Sequence, residues 1–185
     1  AYPGQHEVRS GAYAEKLRAF LPRHQAENGF QIITGDAARA AAEYAAKTAY
    51  KETDAATYQA MEALVHNLNT MNSRAGAQVP FSSLNYGTDT SPEGRMTVHN
   101  LLRATEAGLG DGETPIFPVQ IFKVKEGVNY NEGDPNYDLF RHALRCSAKR
   151  LFPNFSFLDA PFNLQYYKPG DYNTEVAYMG CRTRV

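Results

Sequence analysis

Cys181 has the neighbours that most favour thiol chemistry in this sequence. It lies in the stretch VAYMGCRTRV, between Gly180 and Arg182, with Arg184 close behind. Glycine leaves the backbone free to turn, and nearby guanidinium groups favour a thiolate or attract a phosphate. These residues predict either a reactive thiol beside an anion site or an inert loop cysteine, and the spacing alone leaves both open.

Cys146 shows the opposite pattern. It follows a helical apolar periodicity with Phe140, Leu144 and Leu151, which predicts a small buried side chain. The two cysteines form no C-x-x-C motif, and no two of the five histidines are spaced i, i+4. We therefore expect neither a disulfide framework nor a metal site.

Three further polar stretches are candidate binding segments. NTMNSRAGAQ (69–78) is a turn in which Arg74 could meet a phosphate or a base, or an ordinary connection. NYGTDTSPEG (85–94), which lacks both the P-loop and G-x-G-x-x-G patterns, could hold an anion at a helix N-terminus or be a plain capped helix start. FLDAPFNLQYY (157–167), with Asn163, either lines a polar pocket after a strand or is a surface loop.

The elements that must position these residues alternate along the chain. After residue 36 the sequence predicts two helices interrupted at Thr53 and Asp54, which form an αα-hairpin. Strands at 77–85, 115–124 and 154–159 then alternate with two helices, one of them from a Thr90–Glu93 capping box to Gly108 and the other at 135–152. This order predicts parallel strands with right-handed crossovers, followed by a long ordered loop over 160–185.

Composition narrows the range of partners. The 185 residues, enough for a single domain, are 43% hydrophobic and 21% charged, with a net charge of -1. That balance provides no broad basic surface for binding nucleic acid. No apolar run approaches the ~18 residues that a membrane span requires. With no signal-peptide pattern and few cysteines, we expect a cytoplasmic location and neither nucleic acid nor a membrane as partner.

Long stretches of the sequence resemble class III anaerobic ribonucleoside-triphosphate reductases, most strongly over residues 55–185. They are VHNLNTMNSRAGAQVPFSSLNYGTDTSPEGR, ETPIFPVQIFKVKEGVNYNEGDPNYDLF and SAKRLFPNFSFLDAPFNLQYYKPGDYNTEVAYMGCRTRV. The resemblance implies an α/β fold, part of the ten-stranded barrel of ribonucleotide reductases and glycyl radical enzymes, with parallel strands and crossover helices. Residues 1–71 would be a helical region with the dimer interface, 72–159 a βαβαβ portion of one half-barrel, and 160–185 a finger loop carrying Cys181.

The resemblance also implies a chemistry. Ribonucleoside triphosphates would be reduced anaerobically to deoxyribonucleoside triphosphates after a thiyl radical on Cys181 abstracts the ribose 3′-hydrogen. The radical would come from a glycyl radical on a segment absent from this sequence, made by a separate iron–sulfur, S-adenosylmethionine-dependent activase. Formate would be the reductant, zinc would belong to the parent protein only, and the parent would be a homodimer.

Further residues acquire roles by the same resemblance. The loop at 72–78 would link ATP or dNTP effectors to the substrate base through Ser73, Arg74, Gly76 and Gln78. Ser82 and Ser83, at the end of the first strand, and Asn163 would be substrate-pocket residues. The chain would be a central fragment, inactive alone; the alternative is a non-catalytic module for nucleotide binding and dimerisation.

Overall fold

The computed structural model describes residues 35–72, 75–180 and 183–185. The chain divides into two compact units, residues 1–50 and 51–185. In the first unit, the described residues 35–50 form the beginning of a helix, with Tyr44 and Tyr50 largely exposed to solvent. The second unit contains the sheet and the helices that pack on it.

Helix α1 runs without interruption over Asp36–Thr70, so the predicted break at Thr53 and Asp54 is wrong. Neither residue is a glycine or a proline, and both find partners that suit a helix. The Thr57 hydroxyl donates to the Thr53 carbonyl oxygen at 2.7 Å, and the Asp54 carboxylate accepts from the Asn100 amide at 2.8 Å. One long helix therefore replaces the expected αα-hairpin.

A parallel sheet forms the centre of the second unit, as the alternation of elements predicted. Its order is β1-β2-β3, with both neighbouring pairs parallel. The strands are β1 (Ser83–Tyr86), β2 (Val119–Val124) and β3 (Asn154–Phe157). They are connected by α2 (Pro92–Ala107) and α3 (Tyr137–Arg150). The described residues thus form a mixed α/β structure.

Several element boundaries differ from the prediction, and two of these differences concern β1 and the start of α2. The first strand begins at Ser83, where Val119 donates its amide to the Ser82 carbonyl, so Ser82 and Ser83 lie at the amino end of β1 and not at its carboxyl end. Pro80 has no amide hydrogen for a ladder, and the strand begins only after it. Helix α2 is capped by Ser91, not by a Thr90–Glu93 box, because the Ser91 hydroxyl accepts from the Gly94 amide at 3.0 Å.

One face of the sheet carries the apolar core. Phe122 and Val124 are buried there against Leu102 of α2 and against α3. The part of α1 beyond residue 51 adds Val65, which packs with side chains of α2. Burying one side chain of this size contributes roughly 1.5–3 kcal/mol to the stability of the fold. Because the helices supply the other half of these contacts, the burial holds them on one side of the sheet.

The segment 160–185, predicted to be a long loop, contains several short elements in its described residues. They are α4 (Pro161–Leu164), a 3-10 turn (Tyr172–Thr174), and an antiparallel pair of β4 (Tyr178–Met179) and β5 (Thr183–Arg184). Among the described residues, no helix combines the length and the apolar character that crossing a membrane requires.

Candidate functional site

The second face of the sheet carries polar side chains from all three strands, beside the apolar Val119 and Ile121 of β2. Because strand side chains alternate between faces, the register places Ser83 and Asn85 of β1 on the same face as Lys123 of β2 and Ser156 of β3. We call these four residues the polar face. It lies opposite the helices and contacts the segment that leads toward Cys181.

Backbone groups of that segment are bound by side chains of the polar face. Asn85 accepts from the Tyr178 amide at 2.9 Å and donates to the Tyr178 carbonyl oxygen at 2.8 Å. The Gly180 amide donates to the Ser83 hydroxyl at 3.0 Å, and the Ser156 hydroxyl donates to the Tyr178 phenol oxygen at 3.1 Å. The residue just before Cys181 in the chain is therefore held on β1.

The segment that leads toward Cys181 comprises residues 175–180, and a cluster of three charges fixes its first residue, Glu175. The Glu175 carboxylate lies 2.8 Å from the Lys123 ammonium and 3.3 Å from the Lys125 ammonium. Burial would raise the pKa of Glu175, but its hydrogen bonds and charge interactions with Lys123 and Lys125 outweigh that effect and lower the pKa. Glu175 is accordingly a stable carboxylate at neutral pH.

Two buried asparagines hold the turn at the carboxyl end of β1. Asn129 donates to the carbonyl oxygens of Gly87 and Lys123, both at 2.9 Å. Asn136 donates to the Gly87 carbonyl at 3.1 Å and to that of Asp89 at 2.7 Å. Both asparagines are completely buried. The loop between β1 and α2 is thereby fixed to the ends of its neighbours.

The predicted pocket residues have structural partners. Asn163 is 3% exposed, donates to the Phe157 carbonyl at 2.8 Å, and accepts from Arg184 Nη1 at 3.3 Å. The Ser82 hydroxyl donates to the Pro80 carbonyl at 3.4 Å. Ser83 and Asn163 thus both bind residues close to Cys181 in the chain, whereas Ser82 bonds within its own segment. Their contact with substrate stays a prediction.

Three of the predicted site residues, Cys181, Ser73 and Arg74, lie outside the described residues. Gly76 and Gln78 of the loop at 72–78 are exposed. Gly76 and Ala77 both adopt left-handed backbone, with φ of 99° and 57°. For alanine that conformation costs roughly 1–2 kcal/mol, so the loop stores strain between α1 and β1.

Two cavities border the segment. A small one of about 30 Å³ has room for about two water molecules and includes Lys125, Asp159 and Tyr167 in its wall. A larger one of about 480 Å³ includes Tyr166 and Arg184. Glu175 and Asn163 line both cavities. In the described part of the chain, no group of three metal-ligating side chains could hold a metal ion.

Cys146 is buried as predicted, with an exposed fraction of 0%. Its thiol lies 3.7 Å from the Leu102 carbonyl oxygen. Burial, with a smaller contribution from the Glu106 carboxylate, raises the pKa of the thiol to about 11. The thiolate, which is the reactive form, is therefore scarce at neutral pH.

We expect Cys146 to resist alkylation by iodoacetamide in the folded protein at pH 8. Raising the pKa from 9.0 to about 11 lowers the thiolate fraction about a hundredfold, and burial also excludes the reagent. Peptide mapping by mass spectrometry measures the labelling. The same peptide must label readily in urea, and rapid labelling of the native protein would contradict the burial.

Sequence reasoning missed Asn85, Lys123, Glu175 and Tyr178. A signal for two of them was present, because polar residues occupy every second position in SLN of β1 and Lys123 interrupts the apolar run of β2. That alternation indicates a second, polar face. It does not indicate which later segment covers the face.

Comparison with known proteins shows the family of the chain. A family model described as anaerobic ribonucleoside-triphosphate reductase matches residues 31–185. The chain is 35% identical over 127 residues to the anaerobic ribonucleoside-triphosphate reductase of Escherichia coli K12, covering 68% of this chain and 17% of that protein. It is 39% identical over 136 residues to the protein of the same name from Enterobacteria phage T4, covering 73% of this chain and 22% of that protein. The aligned part of the chain thus spans about a fifth of the length of these relatives.

Proposed function

Since the chain belongs to the anaerobic ribonucleoside-triphosphate reductase family, we propose that it forms the part of a reductase that carries the hydrogen-abstracting thiol. The reaction is the reduction of ribonucleoside triphosphates to deoxyribonucleoside triphosphates. Cys181 is the residue that acts on the sugar. The observation that carries this assignment is the attachment of the Tyr178–Gly180 backbone to the polar face, immediately before Cys181.

The proposed chemistry begins with a thiyl radical on Cys181, which takes the 3′-hydrogen of the ribose and becomes a thiol. The 2′-hydroxyl then takes up a proton and leaves as water, and formate, oxidised to carbon dioxide, supplies the two electrons and the proton that form the new C–H bond at the 2′ carbon. Cys181 finally returns its hydrogen to the 3′ carbon and is again a radical. A glycyl radical elsewhere in the full-length protein, generated by a radical S-adenosylmethionine activase, supplies the unpaired electron.

The arrangement of layers supports a barrel. Among the described elements, α2 and α3 cover one face of the sheet, while residues 175–180 lie on the other. Parallel sheets normally have both faces covered, and in a closed barrel the inner face meets only what lies within. We propose that the polar face is the interior of the ten-stranded barrel and that 160–185 is its finger loop.

The loop at 72–78 is proposed to connect effector and substrate through Ser73, Arg74, Gly76 and Gln78. Such a connection requires one element whose conformational equilibrium is shifted by both the effector and the substrate. The strained left-handed backbone of Ala77 supports this, because such strain lowers the cost of moving to a second loop conformation. The exposed first part of α1 leaves that helix available for a second copy of the chain in a homodimer.

The full-length protein tests this function directly. After anaerobic treatment with its activase, it should convert ribonucleoside triphosphates to deoxyribonucleoside triphosphates in the presence of formate, as measured by chromatography of the products. Samples without activase or without formate serve as controls and should yield no product. A protein that acquires the glycyl radical, as shown by electron paramagnetic resonance, but reduces no nucleotide would refute the proposal.

A further inference from the structure

We propose that Glu175 is a positioning residue, which fixes the start of the segment leading to Cys181 and thereby sets where the thiol lies. This inference rests on the proposed function of Cys181. In the proposed reaction, Glu175 touches no reacting atom. Its carboxylate influences the position of Cys181 through the backbone between residues 175 and 180.

The geometry of the ion cluster suits that role. Each carboxylate oxygen of Glu175 has its own ammonium group, Oε1 with Lys123 and Oε2 with Lys125. Two contacts on two different oxygens fix the orientation of a carboxylate as well as its position. Lys123 belongs to the polar face and Lys125 follows β2 directly, so both partners are attached to the carboxyl end of the central strand.

The cluster is also well shielded from water. The exposed side-chain fractions are 11% for Glu175, 13% for Lys123 and 25% for Lys125. Ion pairs at such burial add little net stability, because desolvation offsets their attraction, but removing one partner leaves charges uncompensated. Without Glu175, the two ammonium groups would face each other and repel. The segment would then lose its attachment to β2.

The remaining anchors do not replace this one. Asn85 and Ser83 bind Tyr178 and Gly180, and both belong to β1. Glu175 attaches the segment to β2, and Lys125 adds a contact with the cavity wall through the Tyr167 ring, 4.9 Å from its ammonium. A segment held at both strands has a defined direction across the sheet. Without Glu175, the hydrogen bonds that the sheet makes to the described backbone of the segment come from β1, since Ser156 of β3 reaches only the Tyr178 phenol, and the backbone before Tyr178 can pivot.

Kinetics and hydrogen exchange of the full-length protein test the proposal, with Glu175→Gln and the matched exposed control Glu132→Gln. For Glu175→Gln we expect kcat per glycyl radical to fall about 10- to 100-fold, as for a misplaced reacting group, with KM for the nucleotide unchanged within about twofold. Amide exchange of residues 176–180 should accelerate, while the exchange of β2 stays at the wild-type rate. The control should match the wild type in every measurement.

The outcomes separate this inference from the proposed function. An unchanged kcat in Glu175→Gln overturns the positioning role, even where the wild type reduces nucleotides normally. Equal loss of exchange protection in β2 and in residues 176–180 also overturns it, because that result describes general unfolding. If the wild type reduces no nucleotide, the proposed function fails; exchange accelerated only in residues 176–180 then still supports the attachment itself.

Discussion

Replacing Cys181 with alanine in the full-length protein should reduce turnover by a factor of about 10⁴ or more, the scale seen when a residue that performs the chemistry is removed. Alanine has no S–H or sulfur radical with which to exchange a hydrogen with the sugar. The binding of ribonucleoside triphosphates should change by less than about twofold, because the anchors of the segment on Ser83 and Asn85 remain. Product formation and equilibrium binding measure the two quantities.

Two variants make the result for Cys181 interpretable. Cys181→Ser should be as inactive as Cys181→Ala, since a hydroxyl holds its hydrogen far more strongly than a thiol does. Cys146→Ala should retain turnover, because Cys146 is a buried core residue of α3. All three proteins should acquire the glycyl radical. Turnover above about 1% of wild type in Cys181→Ala would contradict the assignment, given the expected loss.

Much of the fold could be predicted because its signals are local. Strands β2 and β3 and helix α3 lie within the predicted segments, since β2 is a mainly apolar run, β3 alternates polar and apolar residues, and α3 has a stripe of helical periodicity. The continuity of α1 could not be predicted at Thr53 and Asp54. Their intrinsic preference is for caps and turns, and it is tertiary partners, such as Asn100 for Asp54, that suit them to a helix interior.

The site was less predictable, because its contacts are distant in sequence. Lys123 and Glu175 are 52 residues apart, and Asn85 and Tyr178 are 93 apart. Strand alternation indicates that a side chain faces away from the core, but not what it meets. The predicted position of Ser83 was wrong for a related reason. The start of a strand depends on its ladder partner, here the Val119 amide that bonds to Ser82.

Replacing Gly87 with alanine should lower the free energy of unfolding by about 3 kcal/mol or more, combining the cost of left-handed backbone with that of overpacking. Gly87 has a φ of 122°, and an added Cβ would lie 2.8 Å from the Lys123 carbonyl oxygen. That oxygen is rigid backbone, already bonded to Asn129. The methyl group would therefore push β1 away from β2 at the edge where Asn129 and Asn136 hold the turn. Urea unfolding followed by circular dichroism measures the loss.

Gly127→Ala is the matched control for Gly87→Ala, because it carries the backbone cost without the collision. Gly127 has a φ of 77°, and nothing lies within 4 Å of its added Cβ. Its loss should be only about 1–2 kcal/mol. Equal losses in the two variants would mean that the turn after β1 relaxes freely. The asparagine hydrogen bonds to Gly87 would then not hold the carboxyl edge of the sheet in place, and that edge could not serve as a rigid support for the segment before Cys181.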